Sequence, residues 1–229
     1  MRYAVLGTGI VGRTLAAKLG SLDHDVVIGT RDPEATLARS EPDAMGNEPF
    51  AAWHAAHPAV QLEPFEEAAA HGEAVVNTTS GTASLDALNS AGGANLSGKV
   101  LIDVANPLDF SHGMPPVLNP GNTDSLGEQI QRSFPDSRVV KTLNTVNCAV
   151  MVEPGRVPGA HNVFVSGDDS GAKRHVTELL VSFGWPAGSV IDLGGIETAR
   201  GAEMLLPIWL RLFGLLGHAD FNFHIQGAR

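Results

Sequence analysis

Short apolar runs alternate with amphipathic stretches along most of the chain. Apolar runs at residues 3–6, 26–28, 60–62, 74–77, 100–104 and 138–143 predict buried strands. Between them, apolar positions at helical spacing predict helices after residue 12 and around residues 66–70, 84–89 and 125–134. Strands that alternate with helices in this way indicate an α/β fold, a Rossmann-type, doubly wound and mostly parallel sheet, because parallel neighbours need helical crossovers.

The pattern restarts near residue 161, with a strand at 163–165, a helix ending near Phe183 and a strand at 190–192. A last helix is predicted from about Ile196 to Gly217, and its stretch 204–216 is apolar nearly all round. A solvated helix does not tolerate such a surface. We therefore expect residues 1–158 to form the Rossmann domain and residues 159–229 a small C-terminal α/β domain. The last helix should be its buried floor and contact a second copy in a homodimer.

Two segments interrupt the rhythm. Residues 41–58 contain His54 and His57 and read as an insertion after the second crossover. Two histidines without a third ligand favour a surface helix, so no metal site is predicted. Residues 105–124 hold four prolines and three asparagines after a strand. Loops of this length usually act as lids or contact ligands. The roles of both segments stay open.

Charge and composition restrict the kind of partner. The chain has a formal net charge of −10, and its 15 lysines and arginines are scattered, which argues against nucleic acid or an anionic membrane. Cys148 is the single cysteine, which excludes an intramolecular disulfide and suits a reducing cytoplasm. We expect a cytoplasmic protein, because the chain opens on a strand without a secretory signal and Pro207 and Arg211 interrupt its most apolar stretch.

A glycine motif follows the first predicted strand. Gly7-Thr8-Gly9-Ile10-Val11-Gly12 matches G-x-G-x-x-G and stands directly before a helix. The free amides at that helix N-terminus can face a pyrophosphate. Because the motif occupies the turn of a strand-helix-strand unit, it predicts a dinucleotide-binding site rather than a simple connection.

The end of the second strand bears on the choice between NAD and NADP. An NAD site usually places Asp or Glu there to hold the ribose hydroxyls, whereas this strand runs into Gly29-Thr30-Arg31. Thr30 and Arg31 can bind a 2′-phosphate, which favours NADP(H). The alternatives are that Asp32 takes the ribose role and that Arg31 is a solvated turn cation.

Polar residues also follow the other predicted strands. They are Thr78 and Thr79, then Asn106 and Pro107, and finally Asn144, Thr145 and Val146. Doubly wound sheets bind ligands at the carboxyl ends of their strands, so these residues are candidates for cofactor binding and positioning. Ordinary loop or cap roles are equally compatible with the pattern. Lys141 is a weaker candidate for a proton donor, since it lies inside a strand pattern.

Several motifs together resemble one known family, the NADP oxidoreductase, coenzyme F-420-dependent family. The matching segments are Val5-Leu6-Gly7-Thr8-Gly9, Ile28-Gly29-Thr30-Arg31, Val165-Ser166-Gly167-Asp168-Asp169 and Thr198-Ala199-Arg200-Gly201-Ala202-Glu203. The likeness covers nearly the whole chain. It implies an oxidoreductase that passes hydride between NADP(H) and the deazaflavin coenzyme F-420, bound in a cleft between two domains of a dimer.

One segment departs from that family. Where the archaeal reductases carry a histidine, this chain has Leu143-Asn144-Thr145-Val146-Asn147. The overlapping segment Val140-Lys141-Thr142-Leu143-Asn144-Thr145 also resembles the reductase domain of eukaryotic ferric reductases, which use NADPH and a flavin. Reduction of FMN, FAD or another acceptor therefore stays open, as does a non-catalytic NADP-binding regulator.

Overall fold

A computed structural model describes residues 1–42 and 46–227. Its strands are β1 (Arg2–Leu6), β2 (Asp25–Thr30), β3 (Gln61–Pro64), β4 (Ala74–Asn77), β5 (Val100–Asp103), β6 (Leu108–Asp109), β7 (Val117–Leu118), β8 (Arg138–Thr142), β9 (Val163–Ser166) and β10 (Val190–Asp192). Its α-helices are α1 (Ile10–Ser21), α2 (Pro33–Leu37), α3 (Phe50–Ala56), α4 (Phe65–His71), α5 (Ser84–Ala91), α6 (Gly93–Leu96), α7 (Leu126–Ser133), α8 (Cys148–Val152), α9 (Ser170–Phe183), α10 (Ala199–Met204) and α11 (Leu206–Leu216).

Eight of these strands form one sheet in the order β10-β9-β8-β5-β4-β1-β2-β3. Neighbouring strands run parallel except for β8 and β9, which pair antiparallel. The predicted Rossmann-type α/β fold is confirmed. The chain builds outward from β1 in one direction through β2 and β3, and in the other through β4 and β5. This reversal opens a crevice beside the carboxyl end of β1.

Both faces of the sheet are covered. Side chains alternate along a strand, so Tyr3 and Val5 enter one core cluster while Ala4 and Leu6 enter the other. A strand that is buried on both faces must be apolar throughout, which explains why β1 reads as a continuous apolar run. The same reasoning accounts for the confirmed strands β4 and β5.

The predicted last helix differs from the structure in two respects. It is broken, because a 3₁₀ turn (Ile196–Thr198) and α10 precede a separate helix α11 that has Pro207 in its first turn. Proline lacks the N–H that would continue α10 into α11. The prediction that this helix is buried is also wrong for a single chain. Leu206 is the one buried residue of α11, and Leu215 is 80% exposed.

The segment after residue 159 does not form a separate sheet. Strand β9 pairs with β8, and β10 pairs with β9, so both extend the main sheet. The division into domains at residue 159 therefore stays a prediction. Within residues 1–42 and 46–227, no helix combines the length and apolarity needed to cross a bilayer.

The two interrupting segments have structure of their own. Residues 43–45 of the predicted 41–58 insertion lie outside the described residues, whereas its later part forms α3, whose Phe50 and Trp53 are buried. His54 and His57 each hydrogen-bond to a backbone carbonyl, of Val60 and Trp53 respectively. The 105–124 segment is not a plain loop, because β6 and β7 pair within it as a two-stranded ribbon.

Candidate active site

The glycine motif forms a tight turn at the carboxyl end of β1. Gly7 has a φ of +121°, which favours glycine, and its N–H donates to the Gly29 carbonyl at 2.9 Å. A methyl group on Gly12 would overlap the Gly7 carbonyl oxygen. The internal geometry of the turn therefore requires glycine at positions 7 and 12, whether or not a ligand is present.

Gly9 meets a different requirement. It is the N-cap residue of α1, no side chain caps the helix, and a methyl group on Gly9 would meet no protein atom within 4 Å. The protein thus leaves open space beside Gly9 at the uncapped start of α1, which fits a bound pyrophosphate. Ile10 beside it is 40% exposed, while Val11 packs against the core.

A cavity of about 680 Å³ lies beside this turn, at the crevice between β1 and β4. The predicted site residues that line it are Gly7, Thr8, Gly9, Thr30, Arg31, Thr78 and Thr79. The structure therefore brings the glycine turn, the end of β2 and the end of β4 to one surface. Sequence reasoning missed Arg39 and Asp86, which also line this cavity.

The end of β2 contributes one cation, Arg31, and the Thr30 hydroxyl to the cavity. Arg31 is exposed, and the buried Thr30 hydroxyl lies 2.9 Å from the Thr36 hydroxyl. Asp32 is the N-cap of α2, where one carboxylate oxygen accepts the Ala35 N–H at 2.9 Å. Capping occupies part of the carboxylate that an NAD site would use for the ribose hydroxyls, so this geometry favours the 2′-phosphate interpretation.

Arg13 supports the glycine turn from its other side. This side chain is only 5% exposed; its Nε donates to the Thr8 carbonyl at 2.9 Å and its Nη1 to the Glu48 carbonyl at 2.6 Å. Its guanidinium carbon lies 5.6 Å from the centre of the Phe50 ring. Sequence analysis missed Arg13 because arginine usually points to solvent. The available signal was its position three residues before Ala16, on the inner face of α1.

The loops after β4, β5 and β8 pack closely against one another. The Thr79 hydroxyl donates to the Asn77 side-chain oxygen at 2.7 Å, and the Asn77 amide donates to Asp103 at 2.9 Å. A methyl group on Gly81 would overlap the Asn106 carbonyl oxygen. Together with the hydrogen bonds between Asn106 and Asn144, these contacts join the three loops into one hydrogen-bonded network at the carboxyl edge of the sheet.

Asn106 and Asn144 are hydrogen-bonded to each other within that network. The Asn106 amide donates to the Asn144 carbonyl at 2.9 Å, and the Asn144 amide donates to the Asn106 side-chain oxygen at 3.1 Å and the Ala202 carbonyl at 3.2 Å. Asn106, Pro107, Asn144, Thr145 and Val146 do not line the 680 Å³ cavity. Both amide hydrogens of Asn144 are used inside the protein, so its direct role is to fix the loop after β8.

Lys141 lies deeper than any of these candidates. Its side chain has 0% exposure, and its Nζ lies 2.8 Å from a carboxylate oxygen of Asp103 and 2.8 Å from one of Glu203. Burial lowers the pKa of Lys141, but the two carboxylates more than offset that effect and raise its pKa above the usual range. An enclosed, charged ammonium held in this way is suited to structural support rather than to proton donation.

The comparisons with known proteins point to one family. The family model described as NADP oxidoreductase, coenzyme F420-dependent, matches residues 2–107. A crystal structure of a putative F420-dependent NADP reductase from Arthrobacter sp. FB24 is 61% identical, with a TM-score of 0.94, and the alignment covers 98% of this chain and 99% of that one.

Two curated relatives are more distant. The F420-dependent NADP reductase of Methanothermobacter marburgensis is 28% identical over 218 residues, which cover 93% of this chain and 92% of the relative. The metalloreductase STEAP3 of Rattus norvegicus is 26% identical over 212 residues. That match covers 91% of this chain but only 38% of the rat protein, so the chain spans well under half of that relative.

Proposed function

We propose that this chain, which belongs to the NADP oxidoreductase, coenzyme F420-dependent family, transfers hydride between NADP(H) and coenzyme F420. The protein is an NADP-dependent oxidoreductase. The observation that carries the donor half of the proposal is the cavity at the carboxyl edge of the sheet. There an uncapped helix N-terminus and a cationic end of β2 lie on one surface.

Two parts of this cavity suit two parts of NADP(H) in this proposal, the pyrophosphate and the 2′-phosphate. The open amides at the start of α1 would hold the pyrophosphate, and Gly9 would allow it to approach the backbone. Thr30 and Arg31 would bind the 2′-phosphate. Thr78 and Thr79 line the side of the cavity next to β4, and their hydroxyls donate to the Leu6 carbonyl and the Asn77 side-chain oxygen respectively.

The proposal that F420 is the hydride acceptor rests on the relatives and on the lack of a general acid among the described residues that line the cavity. Two relatives are described as F420-dependent NADP reductases. Hydride exchange between nicotinamide and a deazaflavin is chemistry of the two ring systems, and the protein contributes mainly orientation and exclusion of water. Among the described residues that line the cavity, none is a lysine or histidine able to serve a carbonyl substrate as general acid.

Mixing the purified protein with NADPH and one acceptor at a time tests this proposal. We expect loss of the oxidised deazaflavin absorbance, at a rate roughly tenfold or more above that with FMN, which equals about 1.4 kcal/mol of transition-state stabilisation. A panel of simple keto acids should stay unreduced. Reduction of FMN alone would replace the acceptor, and NADPH binding without turnover of any acceptor would indicate a regulator; either result contradicts the proposal.

We also propose that the protein works as a homodimer through α11. Ile208, Phe213, Leu215 and Leu216 on this helix are 52%, 39%, 80% and 46% exposed. An apolar helix face left in water is unfavourable and is typical of a protein-protein contact. A second copy is the simplest partner, since it presents the same surface and can cover it by two-fold symmetry.

Charge on α11 should therefore separate the two copies. We expect a dimer for the wild-type protein by light scattering, and a monomer for Leu215→Glu, because a carboxylate would be desolvated in the interface. Trp209 is unsuitable for this test, since its ring packs on Phe213 and Phe221 of the same chain. Val181→Glu on α9 is the control, as Val181 is also exposed, at 43%. A monomeric wild type, or a dimeric Leu215→Glu variant, contradicts the proposed contact.

A further inference from the structure

We infer that Arg39 is a second specificity-determining cation for the 2′-phosphate, held in place by Thr36. This inference rests on the proposed NADP(H) site and adds a residue to it. Arg39 follows α2 and is exposed, yet its Nη2 donates to the Thr36 hydroxyl oxygen at 3.0 Å. Thr36 is 1% exposed, so the hydrogen bond anchors a surface guanidinium to a buried side chain.

The anchoring connects Arg39 to the end of β2. The Thr36 hydroxyl lies 2.9 Å from the Thr30 hydroxyl, so Arg39, Thr36 and Thr30 form one hydrogen-bonded series. When Thr36 accepts from Arg39 and donates to Thr30, the Thr30 hydroxyl keeps its own hydrogen for another acceptor. The series therefore links a guanidinium and a hydroxyl donor that line the same cavity.

The position of Arg39 among the cavities supports this role. A second cavity of about 600 Å³ adjoins the glycine turn. Both this cavity and the 680 Å³ cavity are lined by Arg39, Thr8 and Gly9. Arg31 lines only the larger of the two. Arg39 and Arg31 thus both line the larger cavity, which extends from the glycine turn to the end of β2.

The charge of the cavity favours a second arginine. Its charged lining residues are Arg31, Arg39, Asp32 and Asp86. A phosphate monoester carries about −1.5 to −2 charges near neutral pH. Without Arg39 such a group would enter a cavity whose own net charge is negative. With Arg39 the lining is neutral overall, and two guanidinium groups stand near the end of β2.

Arg39 has enough N–H donors to bind a phosphate while it stays hydrogen-bonded to Thr36. A guanidinium has five N–H donors, and Thr36 uses one of those on Nη2, so the others remain for phosphate oxygens. Because the hydrogen bond already orders the side chain, less conformational entropy is lost when a ligand binds. A flexible, solvated arginine would lack this advantage.

Calorimetric titration with 2′,5′-ADP and with 5′-AMP isolates the contribution of the 2′-phosphate. We expect Arg39→Gln to weaken 2′,5′-ADP binding by about tenfold or more, the scale of a lost charge-assisted hydrogen bond, and to leave 5′-AMP binding unchanged. Thr36→Val keeps the arginine but removes its anchor, so it should weaken 2′,5′-ADP binding by roughly threefold. Arg174→Gln, at an exposed position on α9, serves as the matched control.

The possible results separate this inference from the proposed function. A wild-type protein that binds 2′,5′-ADP no better than 5′-AMP would overturn the NADP(H) proposal itself. A wild-type preference for 2′,5′-ADP that Arg39→Gln leaves intact would overturn the role of Arg39 alone. Equal weakening of both ligands would also overturn it, because that pattern indicates damage to the glycine turn rather than loss of a phosphate contact.

Discussion

Replacing Lys141 by methionine is expected to lower the free energy of unfolding by about 3–5 kcal/mol, the usual cost of breaking a buried ion pair. Lys141 has 0% exposure and forms ion pairs with two buried carboxylates, Asp103 and Glu203. Methionine keeps most of the volume of the side chain, so the loss of stability reports the removal of the charge and not the creation of a cavity. Both carboxylates would remain in the interior without their common partner, which is the costly outcome.

Urea unfolding followed by tryptophan fluorescence measures this effect, and Lys173→Met is its control. Lys173 also lies 2.8 Å from one aspartate, Asp192, but that partner is 54% exposed, so about 1 kcal/mol or less is expected. Similar losses for the two variants would show that the buried network adds little. Activity alone is a poor measure for Lys141 variants, since unfolding would imitate loss of a proton donor.

The second large effect concerns two glycines of one motif that act for different reasons. Gly9→Val should fold normally and lose NADPH binding, because its Cβ would meet no protein atom within 4 Å while its side chain would stand in the path of the pyrophosphate. Gly12→Ala should lower stability by on the order of 3 kcal/mol or more, because its methyl group would overlap the Gly7 carbonyl oxygen. Thermal unfolding and NADPH titration of both variants test this division.

Gly20→Ala provides a control in the same helix. A methyl group on Gly20 would meet no atom within 4 Å, so alanine there should be neutral or stabilise α1 by about 0.5–1 kcal/mol. Normal NADPH binding by Gly9→Val would reduce the motif to a connecting turn. A Gly12→Ala variant as stable as Gly20→Ala would contradict the packing argument.

The sequence predicted the sheet well because its strands are buried on both faces. Short continuous apolar runs, such as Val75 and Val76 in β4 or Leu101 and Ile102 in β5, are typical of strands in a sheet covered on both faces. The glycine turn was predictable for a related reason, since its spacing reflects backbone contacts within a few residues. The approximate placement of Thr30, Thr78 and Asn144 followed from the strand ends.

Features that depend on contacts distant in sequence were not predictable in the same way. The contacts of Arg13 with the Glu48 carbonyl and the Phe50 ring require the segment at the start of α3 to fold beside α1. The ion pairs of Lys141 join β8 to β5 and α10, which the apolar pattern of β8 does not show. The exposure of α11 was misjudged because an apolar surface indicates burial but does not say whether the same chain or another one provides it.

The antiparallel pairing of β9 with β8 has a consequence for protein engineering. The sheet edge that carries the carboxyl ends of β1, β2, β4, β5 and β8 carries the amino ends of β9 and β10. The connections that lead into these two strands, joined by a hydrogen bond of 3.3 Å from Asn162 to the Ser189 carbonyl, therefore lie at the same edge as the glycine turn. The turns after β9 and β10 lie at the opposite edge, so substitutions there are suitable distant controls for a mutant library aimed at the glycine-turn edge.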